Sequence, residues 1–451
     1  MNASRSIPRR LGLAVAALLV GLAAAATAWV RLGADARQTA WGEDGGFFLT
    51  ERLQYGVDGT LLRPYAGYLH LLPRLVVDLG VARPIDQYAL TVSAACCLIV
   101  GAACAAVFVL AREVVPAWPL RLLLAAVPVV LPIAPWEVLG NAANLHWTML
   151  FLAPWLFAFR PRSWWSAVLV AVVAVPVVLT ELQTVLFLPL LVLAWWPRGD
   201  ERRLLDRLRA LPQTVVVLAC STAQAVAATT PRDSDRGHLV AADATAGYLL
   251  KVVGGAWTDA IGAVGRVAGS SGWVVLAVPL AVAVLVVVTG IVCAPTWRVR
   301  VLLAATALAS PVVWCAALVA NRSADGVWAH MDTAGLAAET ASRYATSAAA
   351  FLTAALVVAA SVLVGASRPA RSGGTARLFR IGSGWVVVAV VVAAAVGSFA
   401  GSPTTRDGTP SWQGQVLAAR STCEEDPGRT VTIRFAPWDR ELPCSLVLRD
   451  R

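Results

Sequence analysis

Two adjacent carboxylates, Glu43 and Asp44, are the residues whose type and setting best suit catalysis. Glycines flank the pair at Gly42 and Gly45, and Trp41 precedes it. Glycines allow a backbone to approach a ligand closely, and aromatic neighbours hold a segment at a membrane interface. Because burial can raise the pKa of one carboxyl towards neutrality, the pair suits a general base. The alternative is a pair of solvated loop acids.

A second polar group follows in the stretch PYAGYLHLLPR at residues 64–74. On a helix, His70 and Arg74 would lie one turn apart and share a face. The Arg74 guanidinium would then bind a phosphate through a bidentate contact, with Tyr68 and His70 beside it. The alternative is an interfacial helix whose polar face meets lipid phosphates.

Further candidate binding residues lie where later apolar runs begin or end: Asn144, His146, Trp147, Glu181, Arg343 and Tyr344. The loops that hold the first four are only a few residues long, so we expect them at the mouth of a helical bundle. An acid such as Glu181 near membrane depth is costly unless it has a partner or a role. Arg343 and Tyr344 would reach an anionic group. For His146 and Trp147 the alternative is interfacial anchoring.

The composition restricts where these residues can act. Of the 451 residues, 58% are hydrophobic and 14% are charged, and the mean hydropathy is +0.69. Soluble proteins carry about a quarter charged residues. Apolar runs near 20 residues recur along the chain, and each is long enough to cross a ~30 Å hydrocarbon core. We therefore expect an all-α polytopic membrane protein, and the composition excludes a cytosolic enzyme, a nucleic-acid binder and a disordered tail.

Eleven transmembrane helices are predicted, at residues 11–31, 88–111, 119–137, 146–159, 164–180, 184–197, 211–229, 272–294, 301–320, 345–366 and 382–401. Arginines cluster before the first span and in alternate loops such as 198–209, whereas the short loops 138–145 and 181–183 contain no Lys or Arg. The positive-inside rule then gives a cytoplasmic N-terminus and an extracytoplasmic C-terminus. The net charge of +10 fits this topology and contact with anionic lipid head groups.

The non-spanning segments differ in character. The first extracytoplasmic loop, residues 32–87, carries two amphipathic stretches near 47–53 and 69–77 that predict short helices on the membrane surface. Two later outer loops, 230–271 and 321–344, are long enough to cap a cavity.

The last 50 residues form a different kind of segment. Runs at 430–435 and 444–448 favour β-structure and predict a small β-rich tail. Cys423 and Cys444 lie in this tail, and two cysteines in an oxidising compartment most simply pair with each other. We therefore divide the chain into a transmembrane bundle at 1–401 and a disulfide-stapled tail at 402–451.

With these motifs in place, the chain resembles the GT-C superfamily of integral membrane glycosyltransferases, which use polyprenyl-phosphate sugars. The resemblance rests on the multi-span architecture, the acidic pair in the first loop, and several short strings. The strings are EDGGFF (43–48), PYAGYLHLLPR (64–74), NLHW (144–147), RY (343–344), and the tail pattern Trp412, Cys423, Trp438 and Leu442-Pro443-Cys444. They are similar to a bacterial branch of the superfamily, so we expect a bacterial plasma-membrane location.

The resemblance implies a reaction and roles for residues. The family places its catalytic carboxylate in the first outer loop, which points to Asp44 or Glu43. That carboxylate takes the proton of an acceptor hydroxyl, the anomeric carbon is inverted, and polyprenyl phosphate leaves. Arg74, Arg343 and Lys251 would stabilise the leaving phosphate. The pair here is Glu-Asp, whereas Asp-Asp or Asp-Glu is common in the family, and no Asp-x-Asp occurs in the loop, so neither a divalent metal nor another cofactor is indicated.

We therefore expect transfer of a sugar from a polyprenyl-phosphate donor to a cell-envelope glycan, glycolipid or protein. The main alternative is a flippase for lipid-linked glycans, which predicts ionisable residues inside several spans, whereas the spans here are nearly charge-free. A non-catalytic envelope assembly subunit is a second alternative, with Glu43 and Asp44 fully exposed. A third is a ligase or polymerase of different fold, which would carry its key arginines and histidine in one large late loop.

Overall fold

The structure of the protein, a computed structural model, describes residues 6–196, 207–232, 235–322, 326–365, 374–401 and 403–448. Within these ranges the chain is mainly α-helical. Backbone amides in apolar surroundings need internal hydrogen-bond partners, and an uninterrupted apolar run meets that need as a helix. Most of the arginine-rich loop predicted at 198–209 lies outside the described residues, as do the predicted span ends at 197 and 366.

The helices of the first half are α1 (Ser6–Leu32), α2 (Ala34–Arg37), α3 (Leu49–Tyr55), α4 (Leu71–Val81), α5 (Tyr88–Leu110), α6 (Trp118–Val130), α7 (Ala134–Glu137), α8 (Leu145–Phe157), α9 (Trp164–Val178) and α10 (Leu191–Trp195). A π-helical turn at Asp44–Phe48 leads into α3, and a 3₁₀-helix at Leu182–Leu190 leads into α10. Shorter 3₁₀ turns lie on either side of α5, at Ile85–Gln87 and Ala111–Glu113. Helices α3 and α4 lie in the first loop, near both stretches predicted to be helical.

The second half continues with α11 (Leu211–Ala227), α12 (Ala241–Gly247), α13 (Gly254–Trp257), α14 (Ile261–Ser271), α15 (Val274–Cys293), α16 (Trp297–Ala320), α17 (Thr333–Ala338), α18 (Arg343–Val364), α19 (Gly374–Gly397), α20 (Trp412–Glu425) and α21 (Cys444–Val447). A π-helical segment at Tyr248–Val253 joins α12 to α13, and a 3₁₀ turn at Trp328–His330 precedes α17. Strands β1 (Thr430–Phe435) and β2 (Trp438–Pro443) precede α21.

Among the described residues, six helical segments are long and apolar enough to cross a membrane, at Leu11–Leu32, Ile85–Glu113, Val274–Cys293, Trp297–Ala320, Arg343–Val364 and Arg377–Gly397. They match six of the eleven predicted spans and indicate a membrane protein. The other five predictions fall on helices of 10–17 residues, which are short for a full crossing. In three of these, α6, α8 and α9, a proline lies in the last turn (Pro128, Pro154 and Pro176), and the helix ends soon after it.

Helix α18 forms the centre of the bundle. Every residue from Ala345 to Leu363 is buried, and α6, α8, α15, α16 and α19 pack around it. Alanine occupies 8 of the 22 positions of α18, so neighbouring helices can approach it closely. The first turn of α18 carries Arg343 and Tyr344, and the packing of the helix therefore fixes where these two side chains begin.

The tail contains both helix and strand. Strands β1 and β2 pair antiparallel, with Thr430 opposite Pro443 and Phe435 opposite Trp438. The predicted disulfide is confirmed, because Cys423 of α20 is bonded to Cys444. The prediction of β-structure at 444–448 is wrong, since residues 444–447 form α21. The turn after β1 has only two residues, so β2 begins at Trp438, before the segment predicted to be a strand. Pro443 ends β2 because it has no N–H to donate.

The tail packs directly on the first loop. The Trp412 N–H donates to the carbonyl of Gln38 (2.8 Å), and its indole N–H donates to the carbonyl of Ile85 (2.7 Å). Arg406 is completely buried and donates to three backbone carbonyls, those of Ala36, Leu139 and Gly140. These contacts join the tail, the first loop and the loop before α8.

The β-hairpin lies on the glycine-rich segment of the first loop. Trp41 and Ala436 form a parallel β-bridge. A Cβ added to Gly42 would lie 3.0 Å from the Trp438 ring, and one added to Gly45 would lie 3.2 Å from the Phe435 ring. The sequence suggested that these glycines admit a ligand. The space above them is instead occupied by the hairpin's own aromatic rings.

This contact predicts that Gly42→Ala destabilises the protein. The added methyl must displace Pro437 or Trp438, since it would meet both at 3.0 Å, and overpacking of this kind costs typically about 1–3 kcal/mol. We expect a lower thermal unfolding midpoint in detergent. The matched control is Gly382→Ala, whose methyl meets nothing within 4 Å. Equal midpoints for the two variants would contradict the contact.

Candidate active site

Glu43 and Asp44 point to different surroundings although they are adjacent. Glu43 precedes the π-helical turn that begins at Asp44, and the Gly45 N–H donates to the carbonyl of Trp41 (2.9 Å). This tight backbone sends one carboxylate towards the interior and the other towards open cavities. The sequence alone left the two acids equivalent.

Asp44 is a completely buried carboxyl. Its Oδ2 accepts the N–H of Ala142 (2.7 Å) and its Oδ1 accepts the N–H of Ala143 (2.8 Å). Its backbone carbonyl accepts the Tyr88 hydroxyl (2.7 Å). Burial raises the pKa of Asp44 to about 7, although the two backbone N–H groups oppose the rise. Asp44 therefore fixes the first loop to the loop before α8, and it lines neither of the two cavities described below.

Glu43 lies at the boundary between these two cavities. Its Oε1 is 3.5 Å from Nη2 of Arg343, and the same Nη2 donates to the Tyr344 hydroxyl at 3.2 Å. Glu43, Arg343, Tyr344 and Trp438 line both cavities, and we call these four residues the shared wall. A carboxylate in this position is accessible from two sides.

The first cavity has a volume of about 330 Å³, and we call it the tyrosine–histidine cavity. Besides the shared wall, its polar and aromatic lining includes Tyr65, Tyr68, His70, Asn144, His146, Trp147, Glu181 and Arg232. The His146 ring stacks on Trp147 with centroids 4.1 Å apart, and Nδ1 of His146 contacts the Glu181 carboxylate. The other Glu181 oxygen accepts the N–H of Gln183 (2.7 Å).

The histidine and tyrosine side chains considered next, which line the tyrosine–histidine cavity, are held in their uncharged forms. Burial lowers the pKa of His70 well below its usual value, and His146 adds to this effect. Burial also raises the pKa of Tyr65 and of Tyr68, with nearby glutamates contributing. At neutral pH His70 is therefore an uncharged imidazole and both phenols keep their protons. The phenols can donate hydrogen bonds to an anionic ligand.

The second cavity, the tryptophan cavity, has a volume of about 490 Å³. Five tryptophans line it: Trp41, Trp136, Trp314, Trp328 and Trp438. Lys251, Glu137 and Glu339 also line it, and the Lys251 ammonium contacts the Glu339 carboxylate and the Thr340 carbonyl. Among the described residues, no group of three His, Cys, Asp or Glu side chains lies close enough to hold a metal ion.

The structure brings most of the predicted site residues together. Those that line the tyrosine–histidine cavity are Glu43, Tyr68, His70, Asn144, His146, Trp147, Glu181, Arg343 and Tyr344. They come from three loops and the first turns of two helices, α8 and α18, that are far apart in sequence. Lys251 lines the tryptophan cavity instead.

Arg74 differs from the prediction. Its Nη1 is paired with Oε2 of Glu51 (2.8 Å), its Nε donates to the carbonyl of Arg63 (3.1 Å), and it lines neither cavity. The helical face that it was expected to share with His70 does not form, because α4 begins only at Leu71. The Leu71 N–H instead donates to the carbonyl of Leu179 (3.0 Å), which draws the chain towards the turn before Glu181.

Several lining residues were not found from the sequence. In the sequence Trp314 lies inside a predicted span, whereas Trp136, Glu137, Trp328 and Glu339 lie at a span end or in a loop, and only the fold brings these five residues together. Tyr65 had a usable signal, because it lies in the same short stretch as Tyr68 and His70. Trp438 was part of the tail pattern, but nothing in the sequence places it on Glu43.

Comparison with known proteins adds no relative: no family model, no curated protein and no solved structure matches the chain.

The buried Asp44 predicts a pH dependence of stability. Its pKa is about 7 when folded, against 3.8 for the unperturbed group. The folded state then holds this proton more tightly than the unfolded state, so the free energy of unfolding falls as pH rises between these values and levels off above them. The thermal midpoint of the wild type should fall from pH 5 to pH 8 relative to that of Asp44→Asn, which lacks the titrating group. Parallel midpoint curves for the two proteins would contradict this assignment.

Proposed function

We propose that the protein is a membrane glycosyltransferase of the GT-C type, which transfers a sugar from a polyprenyl-phosphate donor to an envelope glycan, glycolipid or protein acceptor. The observation that carries the proposal is the position of the Glu43 carboxylate, on a wall shared by two cavities and 3.5 Å from the Arg343 guanidinium. A base reachable from two sides suits a reaction between two bound substrates.

The proposed reaction is a single inverting displacement with Glu43 as the base. Glu43 takes the proton of an acceptor hydroxyl while that oxygen forms a bond to the anomeric carbon. The bond from the anomeric carbon to the phosphate oxygen breaks, and its electron pair leaves with polyprenyl phosphate. Inversion requires the acceptor oxygen and the leaving phosphate to lie on opposite faces of the sugar, and cavities on two sides of Glu43 allow that arrangement.

The tyrosine–histidine cavity is the better site for the donor phosphate. Arg343 and Arg232 line it, and the protonated phenols of Tyr65 and Tyr68 supply further hydrogen-bond donors. Donors fixed in a partly enclosed site stabilise the charge that develops on a leaving phosphate. Arg343 contacts Glu43 and the phosphate site alike, so it would orient the base and stabilise the leaving group.

Asp44 has a different role in this proposal. Both of its oxygens are hydrogen bonded to backbone N–H groups, and it has no access to either cavity. Arg74, paired with Glu51, would likewise support the first loop and would not bind phosphate.

We also propose how the chain is arranged in the membrane. The six long helices and five shorter apolar helices would together form eleven membrane-embedded segments. The N-terminus would then be cytoplasmic, and Glu43 would face the outer side of a bacterial plasma membrane. A lipid-linked donor would reach the site from the bilayer, which removes the need for a nucleotide-sugar site.

The test is turnover of purified wild type and Glu43→Gln, measured as release of polyprenyl phosphate from a panel of polyprenyl-phosphate sugars with envelope-glycan acceptors. Loss of a positioned general base costs about 10²–10⁴ in rate, so we expect kcat to fall by that factor in Glu43→Gln. Glu441→Gln, at an exposed position on the tail hairpin, is the matched control and should keep wild-type turnover.

Two results would contradict the proposal. Full turnover by Glu43→Gln would remove Glu43 from the chemistry and leave Glu181 as the next carboxylate in the cavity. No turnover of any donor by wild type, together with saturable donor binding, would instead favour a flippase or an assembly subunit.

A further inference from the structure

The tryptophan cavity lies across the shared wall from the tyrosine–histidine cavity, and its architecture indicates a binding site. Five segments of the chain each supply one tryptophan: the first loop, α7, α16, the 3₁₀ turn before α17, and β2 of the tail. The rings of Trp314 and Trp328 lie 5.7 Å apart. The Arg343 guanidinium lies 5.6 Å from the ring of Trp41. Convergence of large aromatic surfaces from distant segments is typical of ligand pockets.

The polar groups of the tryptophan cavity restrict the ligand class. Glu43, Glu137 and Glu339 face two cations, Arg343 and Lys251. Lys251 is paired with Glu339 and Arg343 with Glu43, and a hydrocarbon chain would remove water from both pairs without supplying hydrogen bonds of its own, which is costly. A phosphate would meet three carboxylates, and like charges repel.

A saccharide suits both the tryptophan rings and the charged groups of the cavity. The C–H face of a sugar ring is apolar and packs against an indole, while its hydroxyls donate to carboxylates and accept from an ammonium or guanidinium. The lining of the tryptophan cavity supplies all three kinds of partner. The ammonium of Lys251 and the carboxylate of Glu339, which are already in contact, would bind adjacent hydroxyls of one ring.

We propose that the tryptophan cavity binds the acceptor as an uncharged or amino-bearing saccharide without phosphate, with one hydroxyl directed at Glu43. The acceptor role rests on the proposed glycosyl transfer, whereas binding of the saccharide itself does not. Trp438 closes one side of the cavity from the tail hairpin, so the tail is a working part of the acceptor site. Trp438 also lines the tyrosine–histidine cavity, and it would separate acceptor from donor.

The experiment measures saccharide binding without any donor. Purified full-length protein in detergent is titrated with chitotetraose, mannotetraose and arabinotetraose, followed by intrinsic tryptophan fluorescence and by saturation-transfer NMR. We expect the wild type to bind at least one of the three with saturation below 10 mM, a limit of about 3 kcal/mol in binding free energy. Absence of binding of all three would overturn the proposal.

The variants separate the two cavities. Glu137 and Trp136 line the tryptophan cavity and not the tyrosine–histidine cavity, so Glu137→Gln and Trp136→Ala should each weaken saccharide binding at least about tenfold, or 1.4 kcal/mol. Glu181→Gln makes the same chemical change as Glu137→Gln in the other cavity, and its binding should stay within about twofold of wild type. Because Glu137→Gln keeps the side-chain volume, it still tests the tryptophan cavity if Trp136→Ala fails to fold. Equal weakening by Glu181→Gln, or none by Glu137→Gln, would overturn the assignment.

Turnover then distinguishes this proposal from the proposed function. If Glu137→Gln raises the KM for the acceptor and leaves the KM for the donor unchanged, the result supports both the acceptor site and glycosyl transfer. Turnover by wild type with an unchanged acceptor KM in Glu137→Gln overturns the acceptor site and leaves glycosyl transfer standing. Saccharide binding that Glu137→Gln weakens, without turnover of any donor, supports the site and overturns glycosyl transfer.

Discussion

Two backbone hydrogen bonds, from Ala142 and Ala143 to the carboxylate of Asp44, hold the first loop against the loop before α8. They offset the cost of burying a carboxyl, because a buried polar group is tolerated when its hydrogen bonds are made. They also fix the π-helical turn that starts at Asp44, and the preceding Glu43 is thereby turned towards the cavities. The position of Glu43 on the shared wall therefore depends on a carboxyl that lines neither cavity.

The remaining parts of the shared wall are positioned by equally distant elements. Arg343 and Tyr344 begin α18, whose following 19 residues, Ala345 to Leu363, are all buried, so this helix gives them a rigid base. Trp438 comes from the tail hairpin, which is fastened to α20 by the Cys423–Cys444 disulfide and lies on the glycines of the first loop. Three constraints of different kinds thus meet within a few ångströms: a buried carboxyl, a close-packed helix and an aromatic hairpin.

Part of this architecture could be predicted from the sequence. Apolar runs located the helices, and the polar residues at the ends of those runs include several that line the tyrosine–histidine cavity, such as His146 and Glu181. The spans predicted at 146–159 and 164–180 lie within two residues of α8 and α9, whereas the span predicted at 119–137 ends early, at Val130, two residues after Pro128. The β-structure assigned to 444–448 failed because the pairing register, which local propensity does not contain, places the second strand earlier.

The parts of the site that depend on contacts between distant residues could not be predicted from the sequence. Glu43 and Asp44 have the same chemistry, and only the partners of Asp44 in another loop distinguish them. Arg74 looked like a phosphate ligand because its partner Glu51 lies 23 positions earlier and was not associated with it. The tryptophan cavity was missed because its tryptophans occupy five separate segments, and nothing within any one segment indicates that the others lie beside it.

A cryo-electron microscopy structure of the protein with polyprenyl phosphate bound would show directly whether Glu43 and Arg343 lie at the reaction centre. That lipid is the proposed leaving group, so its phosphate should occupy the site that the mechanism requires. Phosphate density is expected in the tyrosine–histidine cavity, within hydrogen-bonding distance of Arg343 and on the side of Glu43 that faces His70 and His146. Phosphate density beside Arg74, or within the tryptophan cavity, would contradict this expectation.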